Sequence, residues 1–466
     1  MEQLRHRICQ YLPVAVRVMN TAGLDFDHIP PLSVPFRFFI SASLFGILAG
    51  IALLLLPTQI PDQGSGQLLG NRWHPALFSI THLITLGVII MVMFGALFQI
   101  LPVVGAPAVA NARWRAWLIH PLLCCGTLSL GGGFWWFGSD AAQGALLAAM
   151  VLLPAALLLA LLSYLPPVLS AMGHNPSLRQ ASWALLALAV TLLLGIWQLL
   201  GWNLPAQFSL NRTLTDLHAL WGVLGWCLLL IGAVAYQVVP MFHTTPAVPK
   251  VVQWSSAPLL IALLAGLSLP MAISASPLLE ILLSLYALAL AGALLWNLGQ
   301  RRRRVADATL RAWQLAATSL LVAVPCYWLE RYGWLPASLA FTLLLYGGIL
   351  SVVIGMLLKI SAFLLYLHLQ QRCGLCFEAF GKLPKMHEFI AREQGSRLLL
   401  LHLAALLLLL TGMAGLLPAT LSGLALCAEF SYLLWLQWRA LVRYRHACSE
   451  IDALLRTTQD SPLATP

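Results

Sequence analysis

Long uninterrupted runs of apolar residues, separated by short polar breaks, dominate the chain. Many runs approach the roughly 20 residues that an α-helix needs to cross a bilayer core about 30 Å thick. The runs are continuous rather than alternating, which favours helices over the strands of a membrane barrel. The pattern therefore predicts an all-α polytopic membrane protein.

The breaks between the runs predict twelve membrane-spanning helices and a single membrane domain over residues 37–443. Residues 1–36 are expected to form a cytoplasmic lead with an interfacial segment at Ile8–Met19, and 444–466 a cytoplasmic tail. One sizeable cytoplasmic loop is expected at 368–396. The predicted spans are 37–56, 75–101, 115–137, 142–165, 181–200, 214–240, 256–276, 278–298, 310–329, 336–360, 397–417 and 419–440.

Composition strengthens the membrane interpretation. The chain is 60% hydrophobic and 9% charged, whereas about 25% of the residues in a soluble domain are charged. No long apolar core follows the first basic residues, so no cleavable signal peptide is expected. The net charge of +10 is better explained by the positive-inside bias of membrane proteins than by a nucleic-acid partner.

The positions of the basic residues test the number of spans. With the N-terminus in the cytoplasm, 22 of the 26 Lys and Arg residues fall in cytoplasmic segments and three in outer segments, with Lys359 inside the tenth span. A missed span would reverse every later loop and abolish this asymmetry. We therefore expect both termini in the cytoplasm and a bacterial inner (cytoplasmic) membrane location.

The second and sixth helices share a pattern. Gly95–Gln99 and Gly232–Gln237 both continue as Gln-x-x-Pro and end on Pro-Ala-Val, and Gly355–Lys359 of the tenth helix is a weaker third copy. Helices four apart predict a pseudo-threefold repeat, although small residues and terminal glutamines are also common in unrelated membrane helices. The repeat predicts an inner polar ring of Gln99, Gln237 and Lys359.

Histidines at membrane depth are costly and are candidates for function. His82 and His218 lie at a similar depth in the second and sixth helices, so they can hold a haem iron, or another metal, from opposite sides. His74 is an alternate ligand, about 12 Å along the helix from His82. Asp216 or a backbone group is expected to orient the ring of His218. The alternative is that these histidines only hydrogen-bond between helices or face water.

Other polar residues give weaker signals. Cys373 and Cys376 form one Cys-x-x-Cys pair in the cytoplasmic loop, which suits zinc or copper; two reduced thiols are the alternative, because no second pair exists. His120, His243 and His402 fall near predicted cytoplasmic ends. The nine cysteines indicate no disulfide framework.

Twelve helices with a repeat at the second, sixth and tenth resemble the catalytic subunit of haem-copper oxidases and nitric oxide reductases. The chain is more similar to the NnrS-like family of twelve-helix haem-binding membrane proteins, at PFRFFISASLFG (Pro35–Gly46) and at His82–Gly105. GMLLKISAFLLYLH (Gly355–His368) resembles a motif of uncharacterised relatives of that group. The resemblance implies an oxidase-like fold, haem b, with copper as another possible metal, and a role in respiration or the response to nitric oxide stress.

Two departures limit what the resemblance implies. The seventh helix has no histidine, so the paired copper ligands of the oxidases are missing. The outer half of the tenth helix, which carries Tyr346, lacks the two haem-ligand histidines of those enzymes. A complete binuclear centre is therefore not expected, and one b-type haem or one metal on His82 and His218 remains.

The residues and the resemblance together predict a haem- or metal-binding membrane protein of respiratory or nitrogen-oxide metabolism. If it is an enzyme, we expect a haem-dependent oxidoreductase. The expected partners are the lipid bilayer and respiratory-chain components. Two alternatives stay open: a transporter, with Gln99, Gln237 and Lys359 around its substrate and the Pro- and Gly-broken helix ends as gates, and a cofactor-free assembly factor.

Overall fold

The structure is a computed structural model that describes residues 30–59, 69, 71–173, 175–269, 276–303, 305–374 and 377–460. Within these residues the chain forms helices and no strand. Twelve helices are long and apolar enough to cross a membrane, which confirms the all-α polytopic architecture. They are α1 Ser33–Gln59, α2 Pro75–Val103, α3 Ala112–Trp135, α4 Asp140–Ala171, α5 Pro176–Asn203, α6 Arg212–His243, α7 Lys250–Ser268, α8 Ser276–Gly299, α9 Ala308–Arg331, α10 Leu339–Cys373, α11 Arg392–Met413 and α12 Ala419–Arg456.

Several helices extend past their apolar runs. Helix α10 continues to Cys373. Helix α12 continues without a break past Arg456 to Asp460. Hydropathy reports where the apolar run stops, but a polar helix can continue beyond it. Arg372 pairs with Asp452 through two contacts of 2.7 and 2.6 Å, which tie the two extensions together. We call the side of the bundle that carries these extensions the basic side.

The remaining predicted boundary regions are described only in part. The interfacial segment expected at Ile8–Met19 lies outside the described residues. The loop expected at 368–396 is shorter, because both of its ends belong to helices. Between α10 and α11 the structure describes two single-turn helices, Phe377–Phe380 and Met386–Phe389.

The second, sixth and tenth helices share a backbone irregularity. Each widens into a π-helical segment, at Thr85–Ile90, Trp221–Leu228 and Leu343–Leu350. No other part of the described chain does so. π segments are rare, generally short, and frequent at functional sites. Their recurrence at every fourth helix gives the repeat predicted from the sequence a structural counterpart.

A glycine in each π segment lies against the helix that precedes it in sequence. A Cβ atom at these positions would come within 2.5, 2.8 and 2.5 Å of the neighbouring side chain. Small residues are what allow membrane helices to approach closely. The same contact therefore joins the first two helices of each four-helix unit. The three pairs are Gly87 with Phe45 of α1, Gly225 with Ala187 of α5, and Gly347 with Ser319 of α9.

The helices differ in how deeply they are buried. Most residues of α2 and α10 are buried inside the bundle, whereas few residues of α8 are buried. Large apolar side chains of α8, such as Leu278, Ile281 and Leu285, lie on the outside. In a membrane this surface contacts lipid, because the intrahelical hydrogen bonds leave no polar backbone group to satisfy.

The glycine contacts can be tested by adding one methyl group. Gly87→Ala forces the base of the Phe45 ring to move, so we expect a lower thermal midpoint and a loss of about 1–3 kcal/mol. Gly144→Ala is the control, because no heavy atom lies within 4 Å of its added Cβ. Gly144→Ala should leave the free energy of unfolding unchanged or raise it by up to about 1 kcal/mol. Equal midpoints for both variants in the same detergent would contradict the contact.

Candidate functional site

Two histidines from two of the repeated helices lie next to each other in the bundle. The ring centres of His82 on α2 and His218 on α6 are 6.4 Å apart, with 29° between the ring planes. Each histidine lies three residues before the π segment of its helix, which begins at Thr85 in α2 and at Trp221 in α6. The repeat thus places both imidazoles at one level and side by side.

Backbone carbonyls determine which nitrogen of each ring carries the hydrogen. The Nδ1 atom of His82 lies 2.7 Å from the carbonyl oxygen of Phe78, and that of His218 lies 3.1 Å from the carbonyl oxygen of Thr191 on α5. A carbonyl only accepts hydrogen bonds, so Nδ1 donates in both rings. Each neutral imidazole then keeps a lone pair on Nε2, the arrangement found in metal-binding histidines.

The pair is lined by aromatic side chains beside His82 and by a glycine of α5 beside His218. Phe134 of α3 lies 5.9 Å from the ring of His82, and Trp202 of α5 packs on Phe134 at 5.7 Å. On α5, Gly195 leaves space for His218, because a Cβ there would be 3.1 Å from its Cε1 atom. The first nine residues of α6, Arg212–Leu220, include no buried residue. The pair therefore lies at a partly buried end of α6.

Asp216 serves a different group from the one expected. Its carboxylate accepts two hydrogen bonds from Arg72, at 2.7 and 3.2 Å. This ion pair joins the start of α6 to the residues just before α2. Of the two expected partners of His218, Asp216 or a backbone group, the one in contact with its ring is a backbone group, the carbonyl oxygen of Thr191.

His74 is the N-cap of α2. Its Nδ1 atom accepts a hydrogen bond from the backbone amide of Ala76 at 3.2 Å, with Pro75 at the first helical position. Burial lowers the pKa of His74, which favours the neutral ring that such a cap requires. An accepting Nδ1 leaves the hydrogen on Nε2, so this tautomer has no lone pair to offer a metal. Within the described chain, no ring contact or hydrogen bond connects His74 to the other two histidines.

The residues of the predicted inner polar ring are held separately. Gln99 donates to the carbonyl oxygen of Pro30 at 2.8 Å, and Lys359 donates to Asp307 at 3.0 Å. Gln237 is partly buried on α6. Among the described residues, no hydrogen bond joins any two of these three side chains. Gln99 and Lys359 therefore each have a partner of their own and do not form a ring with Gln237.

Asp307 is the residue that fixes the position of the Lys359 ammonium group. It also caps α9, because its Oδ1 atom accepts from the amide of Leu310 at 3.0 Å. Burial alone would raise the pKa of Asp307, but the Leu310 amide and the Lys359 ammonium outweigh burial and lower it. Both side chains are only 12% exposed. The Asp307 carboxylate is therefore ionised at neutral pH, and the pair is largely shielded from water.

The predicted Cys-x-x-Cys pair lies only partly within the described residues. Cys373 is buried at the end of α10, and Cys376 lies outside the described residues. In the part of the chain that is described, no three His, Cys, Asp or Glu side chains form a group able to hold a metal ion. His82 and His218 thus offer two protein ligands and no third.

A buried network of four polar side chains was not foreseen as a group. Tyr346 and Ser351 of α10, His402 of α11 and Glu429 of α12 are connected by hydrogen bonds. The sequence predicts that His402 lies near the cytoplasmic end of its helix. The structure starts α11 at Arg392, so His402 lies near the middle of the helix. Glu429 carried a usable signal, because a carboxylate inside an apolar span is a functional candidate by default.

Comparison with known proteins adds no family to this description. No protein-family model matches the chain, and no curated protein matches it. The functional assignment therefore depends on the geometry of the sites themselves.

The Asp307–Lys359 pair can be tested by a double-mutant cycle. Asp307→Asn keeps a good helix cap but leaves the ammonium buried without a carboxylate, so we expect a loss of about 3–5 kcal/mol. Adding Lys359→Met should recover most of this loss. Glu280→Gln, which breaks the more exposed Glu280–Arg331 pair, should cost less than about 1 kcal/mol. A double variant as unstable as Asp307→Asn would contradict the pairing.

Proposed function

We propose that the protein binds a b-type haem between α2 and α6, with His82 and His218 as the axial ligands. The observation that carries the proposal is the pair of rings 6.4 Å apart, each with Nδ1 engaged by a carbonyl and Nε2 left as a lone-pair donor. When bound, the haem would supply single-electron chemistry at its iron. The protein groups hold and orient the two imidazoles.

The distance between the rings suits a metal that sits between them. Metal–nitrogen bonds of about 2 Å on each side place two imidazole centres about 6 Å apart. Two protein ligands are too few for structural zinc, which takes four. Haem fits a two-ligand set, because the porphyrin fills the other positions around iron. Copper held by the two imidazoles is the alternative metal.

The charges at the same end of the bundle also suit haem. The guanidinium groups of Arg72 and Arg212 lie 4.4 and 5.1 Å from the ring centre of Trp73, at the start of α2 and α6. Arg72 already holds Asp216, so Arg212 is the arginine of the two that would bind a haem propionate. The Phe134 ring beside His82 would add an apolar wall.

The proposed biological role is in respiratory or nitrogen-oxide metabolism, including nitric oxide stress. It draws on the sequence resemblance to the haem-copper oxidase superfamily and to NnrS-like proteins, and on the repeat at α2, α6 and α10. Because α7 carries no histidine, the proposal is electron transfer or haem-dependent oxidoreduction without a binuclear centre. A transporter is less well supported, because Gln99 and Lys359 bind separate partners.

Visible spectroscopy tests the haem. Protein expressed with ample haem should show a b-type reduced-minus-oxidised spectrum, which His82→Ala and His218→Ala each abolish. His74→Asn is the matched control: asparagine preserves the cap, so the spectrum should remain. Metal analysis of the same samples separates iron from copper. A folded, colourless and metal-free wild-type protein would refute the proposal.

We also propose a bacterial inner membrane location with both termini in the cytoplasm, supported by the 22-to-3 division of basic residues. A reporter that is active only outside the cytoplasm should be active when fused after Gln207, between α5 and α6. The same reporter fused after Asn175, between α4 and α5, should be inactive. The reverse result would invert the topology.

A further inference from the structure

The network of α10, α11 and α12 is sealed within the protein. Glu429 accepts a hydrogen bond from the Tyr346 hydroxyl through Oε2. Its Oε1 atom lies 2.7 Å from Nδ1 of His402, and Nε2 of His402 lies 2.8 Å from Oγ of Ser351. Glu429, His402 and Ser351 have no exposed surface, and Tyr346 is 5% exposed. The Tyr346 and His402 rings stack with centres 4.7 Å apart.

The network lies near the middle of the membrane. At 1.5 Å per residue, Tyr346 is about 10 Å from the start of α10 and Glu429 about 15 Å from the start of α12. His402 is about 16 Å from the end of α11. The hydrocarbon core is about 30 Å thick. A carboxyl group and an imidazole at this depth are costly unless they are paired.

Counting hydrogens assigns the donors in the network. Oγ of Ser351 lies 2.6 Å from the carbonyl oxygen of Gly347. Two oxygens this close need a hydrogen between them, and the carbonyl has none, so the single hydroxyl hydrogen of Ser351 lies there. Ser351 must then accept from His402, and Nε2 of His402 carries a hydrogen. This leaves the contact between His402 and Glu429 as the only one whose hydrogen has two possible positions.

The contact between Nδ1 of His402 and Oε1 of Glu429 needs one hydrogen. It can sit on Nδ1, giving an imidazolium beside a carboxylate, or on Oε1, giving a neutral imidazole beside a carboxylic acid. Moving it breaks one N–H bond, forms one O–H bond and leaves the total charge at zero. In both forms every hydrogen bond of the network is made. No other ionisable side chain of the described chain hydrogen-bonds or ion-pairs with these four residues.

Hydroxyl groups continue from this network toward the end of the bundle where α10 begins. Thr342, whose hydroxyl donates to Met413 at 3.3 Å, lies one turn before Tyr346 on α10, and Ser338 is the residue just before that helix. On α12, Ser422 lies seven residues before Glu429, two turns away on the same face. The hydroxyls of Ser338 and Ser422 are buried, and neither has a hydrogen-bond partner among the described protein atoms. Buried hydroxyls of this kind are usually satisfied by water.

We propose that Glu429 and His402 form a proton-binding site inside the membrane, which exchanges its proton with water along Ser338, Thr342 and Ser422. The ligand is a single proton. The exchange opens on the side opposite the basic side, where the carboxylate of Glu330 accepts from the amides of Ser338 and Ala340 at 3.2 and 2.6 Å. The site is independent of the haem proposed between α2 and α6, because it shares no residue with it.

Infrared spectroscopy of the folded protein in H₂O and D₂O tests the site. Carboxyl-labelled glutamate and ring-labelled histidine identify the bands of the pair. We expect a band of Glu429 or His402 that shifts in D₂O, disappears in Glu429→Gln and persists in Glu388→Gln, the control at an exposed ion pair. A wild-type band that stays unshifted while the protein remains folded overturns the proposal, and so does a spectrum unchanged by Glu429→Gln. If Glu429→Gln does not fold, the D₂O shift of the labelled bands in the wild-type protein is the test of the site.

The exchange route has its own test. Ser338→Ala and Ser422→Ala should each slow the deuterium shift of the pair severalfold without removing its band. Thr411→Val is the control. The Thr411 hydroxyl is on α11, but it donates to the Leu407 carbonyl on an exposed surface and is not part of the route. Exchange at the wild-type rate in both serine variants refutes the route. The haem spectrum should be unaffected by all of these variants, so failure of either proposal is recognised separately.

Discussion

The close approach of α2, α6 and α10 to the helices before them is the contact on which the bundle depends. Lipid provides little hydrophobic drive for helix association, so packing at short distance must supply it. A glycine inside a π segment makes that approach in each repeat, at Gly87, Gly225 and Gly347. The same segments set the rotation of each helix on either side of the π turn. They therefore determine which residues face the interior in both halves.

This arrangement separates two kinds of polar site. His82 and His218 come from two different repeats and meet where the start of α6 has no buried residues. Their Nε2 atoms remain available, which suits an added group. The Glu429 network is made within the third repeat, is fully enclosed, and satisfies its own hydrogen bonds. One site suits a bound cofactor and the other a proton.

The sequence predicted the helices well, because each span depends only on a long apolar run. It also placed His82 and His218 at a similar depth, because both lie near the outer ends of their predicted spans. It could not assign Asp216 or His74, whose partners are set by loop geometry: Arg72 in one case and the Ala76 amide in the other. The π segments have no simple hydropathy signal. His402 was misplaced because five polar or charged residues at the start of α11 hid its first turns.

The length of α12 has a mechanical meaning. The helix has 42 residues from Ala419 to Asp460 and is therefore about 63 Å long, twice the thickness of a bilayer core. Glu429 lies on its membrane half, and Asp452 holds Arg372 of α10 on its far half. About 35 Å of continuous helix separates these two residues. The buried carboxyl group and the ion pair at the aqueous surface thus belong to one unbroken rod, so neither end can turn about the helix axis without the other.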